Sequence, residues 1–190
     1  MSTANQPSLI SEVTKALGPL MGLKLSISRN AADMKVLHFG EIKPHPDSGT
    51  MGDFALHIQC PWRIVTSDRV ITGSHDYHEP ADPKEDWDAW EPSRPRNRLQ
   101  DKRLLELFPQ YDPGTKSLVN ATALLVVDEV EADIFGGIDL HLSGGYRLQI
   151  FPVSTSESSS WGEQWRFFKP FAQHFVVVAN GGRARVQDDA

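Results

Sequence analysis

Two histidines three residues apart open the most polar stretch of the chain, Gly73-Ser74-His75-Asp76-Tyr77-His78-Glu79. Imidazoles beside carboxylates are the ligand types that a borderline divalent metal accepts, so His75 and His78 are the candidate metal ligands. A metal site also needs a distant further ligand and oriented partners, which spacing alone does not supply, and solvated loop histidines are the plainer reading. A second set, His57, Arg63, His141 and Arg147, falls on the polar parity of alternating segments. It would serve a small ligand or a metal-dependent hydrolase on one face of a sheet. Cys60 could act as a nucleophile, but it sits on an apolar parity between Ile58 and Trp62, where a free cysteine behaves as a small buried hydrophobe.

The most suggestive binding feature is E-D-W-D-A-W-E-P. Two tryptophans in an acidic loop suit an anchor for a basic protein partner, because aromatics dominate interface hot spots. Trp87, Trp90, Tyr77, Asp86 and Asp88 are the candidate partner-binding residues; the competing reading folds the tryptophans back over the sheet. No glycine pair follows a strand and opens a helix as a phosphate-binding loop must, and no G-x-S-x-G, H-E-x-x-H or C-x-x-C motif occurs.

These residues need elements to position them, and the strongest is Phe54–Ile64. Phe54, Leu56, Ile58, Cys60, Trp62 and Ile64 share one parity and are all apolar, which describes a strand with one core face. Pro61 removes a ladder donor inside it and predicts an edge or a bulge there. Upstream, Leu9, Ile10, Val13, Ala16 and Leu17 fall on one helix face that Gly18-Pro19 ends. Leu23, Leu25 and Ile27 alternate as a strand, with Met34–Phe39 as hairpin partner across a turn at Asn30–Asp33. Gly40–Gly52 reads as a loop, Ser67-Asp68-Arg69 as a turn into Val70–Gly73, and residues 74–95 as a long surface excursion. Asn97-x-x-Gln100 resembles a capping box for a helix from about Arg98 to Leu107.

The C-terminal part reads as strand again: Ala121–Glu131, Ile138–Leu142, Tyr146–Ile150, Trp165–Phe168, Phe175–Ala179 and a short terminal strand after Asn180-Gly181-Gly182. A two-residue turn at Gly144-Gly145 would mix the faces of the hairpin. A three-residue loop, Ser143-Gly144-Gly145, sets Leu142 opposite Tyr146, Leu140 opposite Leu148 and His141 opposite Arg147. The expected fold is α+β: a mostly antiparallel β-sheet with an N-terminal helix and one middle helix, in one domain over 1–190.

The phrases A-L-H-I-Q-C-P-W-R-I-V, I-T-G-S-H-D-Y-H-E-P-A-D and G-G-I-D-L-H-L-S-G-G-Y-R-L-Q-I-F-P, with W-R-F-F and H-F-V-V-V, together resemble a group of bacterial proteins without assigned activity. The hairpin L-S-G-G-Y-R-L-Q-I-F-P is also similar to hairpins of small bacterial proteins, some of the toxin-neutralising, immunity kind. Neither resemblance supplies a catalytic residue.

Nineteen basic against 25 acidic residues leave a net charge of −6. That balance argues against nucleic acid and anionic membrane surfaces as partners. One cysteine excludes an internal disulfide framework, and no apolar run reaches the length of a membrane span, which together read as a soluble cytoplasmic protein. The expected function is a non-enzymatic binding protein, immunity-like or partner-neutralising, with a protein partner of basic character and no cofactor. Two readings compete with it: the ligand-binding or hydrolase site above, and a homodimer that buries an exposed strand edge.

Overall fold

The computed structural model describes residues 8–46, 49–91, 97–107, 110–112, 117–119, 125–155 and 162–188. Helix α1 (Leu9–Leu17) starts where the Ser8 hydroxyl accepts the Ser11 N–H, an N-cap, and it buries Val13 and Leu17. Strands β1 (Leu25–Ala31) and β2 (Met34–Phe39) form a hairpin whose turn is shorter than expected, with Ala32 in the left-handed region at φ 54°. The expected loop at Gly40–Gly52 contains a small hairpin, β3 (Lys43–His45) and β4 (Gly49–Met51).

The chain then runs through β5 (Phe54–Ile58), β6 (Trp62–Val65) and β7 (Val70–Gly73), a 3₁₀ turn at Ser74–His78, and helix α2 (Leu99–Leu107). A short hairpin follows, β8 (Gln110–Asp112) and β9 (Ser117–Val119). Next come β10 (Val127–Ala132), β11 (Ile138–Leu142), β12 (Tyr146–Ile150), β13 (Glu163–Phe168), β14 (His174–Asn180) and β15 (Arg183–Asp188). Residues 121–124 of the expected strand at Ala121–Glu131, and Trp161, lie outside the described residues.

Two antiparallel sheets result, so the α+β class with an N-terminal and a middle helix holds. One is six-stranded in the order β1-β2-β5-β13-β14-β15; the other is five-stranded in the order β10-β11-β12-β6-β7. The stretch 54–64 is therefore two strands: it leaves the first sheet after Ile58 and enters the second at Trp62. Pro61 marks this passage and not an edge, since β5 and β6 each lie between two neighbours. The Pro61 carbonyl accepts the Phe151 N–H at 2.9 Å, and the Gln59 N–H donates to the Gln164 carbonyl at 2.9 Å, so the bend keeps its backbone partners. The apolar parity survives the break, and Leu56, Ile58, Cys60, Trp62 and Ile64 all enter one hydrophobic core shared by both sheets.

Further ties join the layers. Leu25 N–H donates to Leu125 O at 2.7 Å and Val127 N–H to Leu23 O at 2.9 Å, stitching the β1 edge to the β10 edge. The fully buried Trp165 donates its indole N–H to Gly136 O at 2.7 Å, which fixes the β10–β11 turn over the core. Helix α1 packs against β10 and β15.

The last of these ties is a lysine. Lys35 has the inward parity of Leu37 and Phe39 and is 1% exposed. Its ammonium donates to Asn30 Oδ1 at 3.1 Å and Gln100 Oε1 at 3.0 Å, and lies 5.7 Å from the Trp62 ring centre. Gln100 passes the link on, donating to Gly73 O at 2.9 Å. Gln100 is thus a buried anchor of α2 and not half of a capping box. Burial disfavours the charged amine and lowers the Lys35 pKa from 10.5 to about 7, against the opposing pull of Asp101.

That shift has a measurable sign. Between pH 7 and 10.5 the unfolded chain holds a proton on Lys35 that the folded chain has released, so stability from this residue rises with pH across that window. Urea unfolding at pH 7, 8 and 9 should show the wild type gaining on Lys35→Met by on the order of 1 kcal/mol per pH unit. A difference that stays constant with pH would show a charged amine throughout.

Candidate functional site

The loop after β7 is built from local hydrogen bonds. Thr72 Oγ1 donates to Asp76 Oδ2 at 2.9 Å, and Tyr77 Oη donates to Ala32 O at 2.7 Å, pinning the 3₁₀ turn to the β1–β2 turn. The Arg98 guanidinium lies over the Tyr77 ring at 3.9 Å, a cation–π contact. Asp82 and Asp86 each fold the chain on themselves: Asp82 Oδ1 accepts Lys84 N–H at 2.9 Å, and Asp86 Oδ1 accepts Asp88 N–H at 3.1 Å. Such Asx turns explain order in a stretch without apolar period.

On this frame Trp90 donates its indole N–H to Asn97 O at 2.9 Å, and Trp87 stands edge-to-face on it with ring centres 5.5 Å apart. Trp87 remains 57% exposed. It borders an open pocket of about 410 Å³, lined also by Pro80, Pro83, Leu99, Lys102 and Arg103. Between Ser74 and Glu91 seven acidic side chains stand against one basic residue, Lys84. Trp87, Trp90, Asp86 and Asp88 lie together on this loop, with Trp90 and Asp86 shaping it. Tyr77 is a half-buried strut in it.

His75 and His78 are both exposed in the 3₁₀ turn. His75 Nε2 lies 3.5 Å from Glu79 Oε1, and His78 packs edge-on against Tyr77. Among the described residues neither joins a set of three potential metal ligands.

The second candidate set divides. Arg63, His141 and Arg147 share the outer face of the five-stranded sheet, and the β11–β12 register is the one expected, with His141 opposite Arg147 and Leu140 opposite Leu148. Arg63 donates to Gln149 Oε1 at 2.8 Å and lies over the Phe151 ring at 5.0 Å. Arg147 makes two hydrogen bonds to Asp139, which also accepts Gln149 Nε2 at 2.7 Å. Sequence reasoning missed Asp139 and the strand partners Glu129 and Glu131. Their spacing of two on a strand facing His141 was the available signal, hidden because it needs the β10–β11 register.

His57 belongs to the other sheet, opposite Arg166 and Val36, so it cannot complete a cluster with His141. Its neighbours are Phe168, edge-on at 4.8 Å, and the Arg166 side chain. His38 lies on the same outer face and accepts Gly52 N–H on Nδ1 at 3.1 Å. Burial, followed by the nearby Arg166, lowers the His57 pKa to about 4; burial, followed by Arg29, does the same to His38. Cys60 is buried, and desolvation raises its thiol to about 12, which removes it as a nucleophile.

As pH falls below 6.5 the unfolded chain takes up protons on His38 and His57 that the folded chain refuses until about pH 4, so stability declines through that window. The urea midpoint should fall steadily from pH 6.5 to 4.5, and less steeply in His57→Gln. An identical pH slope in wild type and variant would count against the buried neutral ring.

Among the described residues no helix is long and apolar enough to cross a membrane. Comparison with protein-family models, curated proteins and solved structures returns no match, so the function of these surfaces is argued from their own geometry.

Proposed function

We propose that the protein is a non-enzymatic binding module that captures a protein partner of basic character through the loop 79–91 and the adjoining face of α2. The observation that supports this reading is Trp87. It is a large aromatic left 57% exposed, yet its ring is braced by Trp90, itself hydrogen-bonded to the backbone. A braced aromatic loses little conformational entropy on docking, which is what an interface anchor requires. The pocket beside it offers Pro80, Pro83 and Leu99 to an apolar side chain of the partner. The carboxylates of the loop outnumber Lys84 and the Lys102 and Arg103 that line the pocket, and this excess favours a basic rim, whose attraction speeds association and weakens with salt.

A second reading, a small-ligand or hydrolase site, draws on the co-location of Arg63, His141 and Arg147 on one sheet face. Both arginines are already engaged there, with Gln149 and Asp139, which favours the first reading.

The test is capture from an extract of the source cells, identification of the captured protein, and reconstitution of the purified pair. Trp87→Ala should weaken the reconstituted complex at least about tenfold, a hot-spot effect. Raising salt from 50 to 500 mM (chosen to shorten the screening length severalfold) should weaken it further. An affinity indifferent to both Trp87 and salt would contradict the reading.

A further inference from the structure

The outer face of the five-stranded sheet holds a constellation that partner binding leaves unused. Glu129 stands directly across from His141, and Glu131 directly across from Asp139. Residues two apart on a strand share a face, so all four crowd the same side. His141 Nδ1 lies 3.4 Å from Glu129 Oε2, and His141 Nε2 lies 3.4 Å from Glu131 Oε2 and 3.9 Å from Asp139 Oδ1.

A neutral imidazole has one N–H and one lone pair, whereas a carboxylate only accepts. With acceptors beside both ring nitrogens, one nitrogen must meet an oxygen lone pair to lone pair. Nε2 is the one left over: it is shielded from solvent and has no hydrogen-bond partner, its approach to Glu131 lacking hydrogen-bond geometry. A second ring proton removes the conflict, and so does a metal cation between ring and carboxylate; the missing hydrogen-bond geometry towards Glu131 favours the cation.

Charge and spacing say which kind. Arg147 neutralises Asp139 with two hydrogen bonds, and Gln149 adds a third. Glu129 and Glu131 are left with two negative charges, matching a divalent ion. One ligand atom each from Glu129, Glu131 and His141 falls within 4.8 Å of the others. The 3.4 Å between Nε2 and Glu131 is close to the edge, about 3.3 Å, of a tetrahedron whose N and O ligands lie about 2.0–2.1 Å from a metal. Imidazole nitrogen with carboxylate oxygen selects a borderline transition metal over calcium or magnesium.

We propose that Glu129, Glu131 and His141 bind one divalent transition-metal ion, zinc or manganese, on the outer face of the five-stranded sheet. Asp139 stays on Arg147 and serves as a fixed neighbour. With Nε2 on the ion, Nδ1–H faces Glu129 Oε2, the usual kind of partner of a ligating histidine, so Glu129 reaches the ion through its other oxygen. Three protein ligands leave a coordination position open, and a shallow depression of about 320 Å³ bordered by Glu129, His141, Tyr146 and Arg147 adjoins two of them. The site stands on the geometry of this face and is independent of Trp87.

The full chain, stripped with a chelator, is titrated with ZnCl₂ and with MnCl₂ at pH 7.5 in a calorimeter, and the His141 ring signals are followed by NMR. One ion per chain should bind and shift those signals. Glu131→Gln and His141→Gln should each weaken binding at least about tenfold. The double variant His75→Ala/His78→Ala should bind as the wild type does. Glu131 is exposed, so an unchanged unfolding midpoint in Glu131→Gln separates lost metal from lost fold. Absence of binding by both ions, undiminished binding in Glu131→Gln and His141→Gln, or loss only in the His75/His78 variant would each overturn the site.

Discussion

Everything in the molecule depends on one row of apolar side chains keeping its direction while its strand changes sheets. Leu56 and Ile58 point into the core from the six-stranded sheet, and Trp62 and Ile64 point into the same core from the five-stranded one. Between them Gln59, Cys60 and Pro61 turn the chain without flipping the parity, because the step from Ile58 to Trp62 is an even one. Burying such a row on both sides of a bend is what makes two sheets share one interior. A one-residue slip at Pro61 would send Trp62 and Ile64 to solvent and Arg63 inward.

The surfaces inherit their positions from this arrangement. β6 places Arg63 beside Gln149 and so joins the outer face that carries Asp139, His141 and Arg147. β7 pairs with β6 and ends at Gly73, whose carbonyl receives Gln100 of α2. The Lys35–Gln100–Gly73 chain therefore connects the six-stranded sheet, the helix and the start of the tryptophan loop through buried polar groups. Burying the amine carries a desolvation cost, which its hydrogen bonds to Asn30 and Gln100 offset while tying α2 to β1 and β2.

Much of the fold was legible because period-2 alternation reports burial directly. The β11–β12 hairpin, its three-residue loop and the His141–Arg147 pairing followed from demanding that Leu140 and Leu148 share a face. The limits are as physical. Nothing local distinguishes Phe54–Ile64 as one strand from two, since the parity is unbroken and only tertiary pairing divides it. Gln100 looked like a cap because capping and burial both call on an amide at that position, and the deciding partner, Lys35, is 65 residues away in sequence. Glu129 and Glu131 are brought around His141 only by the β10–β11 register, which no local pattern announces. The aromatic pair in an acidic loop was legible; the brace on Trp87, Trp90 hydrogen-bonded to Asn97 O, was not.

The protein thus presents two chemically distinct outer regions: a braced aromatic in an acidic loop, and a carboxylate-flanked histidine on a sheet face. Hydrogen–deuterium exchange of the protein alone and in complex with its captured partner tests the central claim most directly, because it reports where the partner sits. Docking on the tryptophan loop slows exchange in 79–91 and 99–107. Slowed exchange confined to 127–150, with the Trp87 segment exchanging as in the free protein, would contradict it.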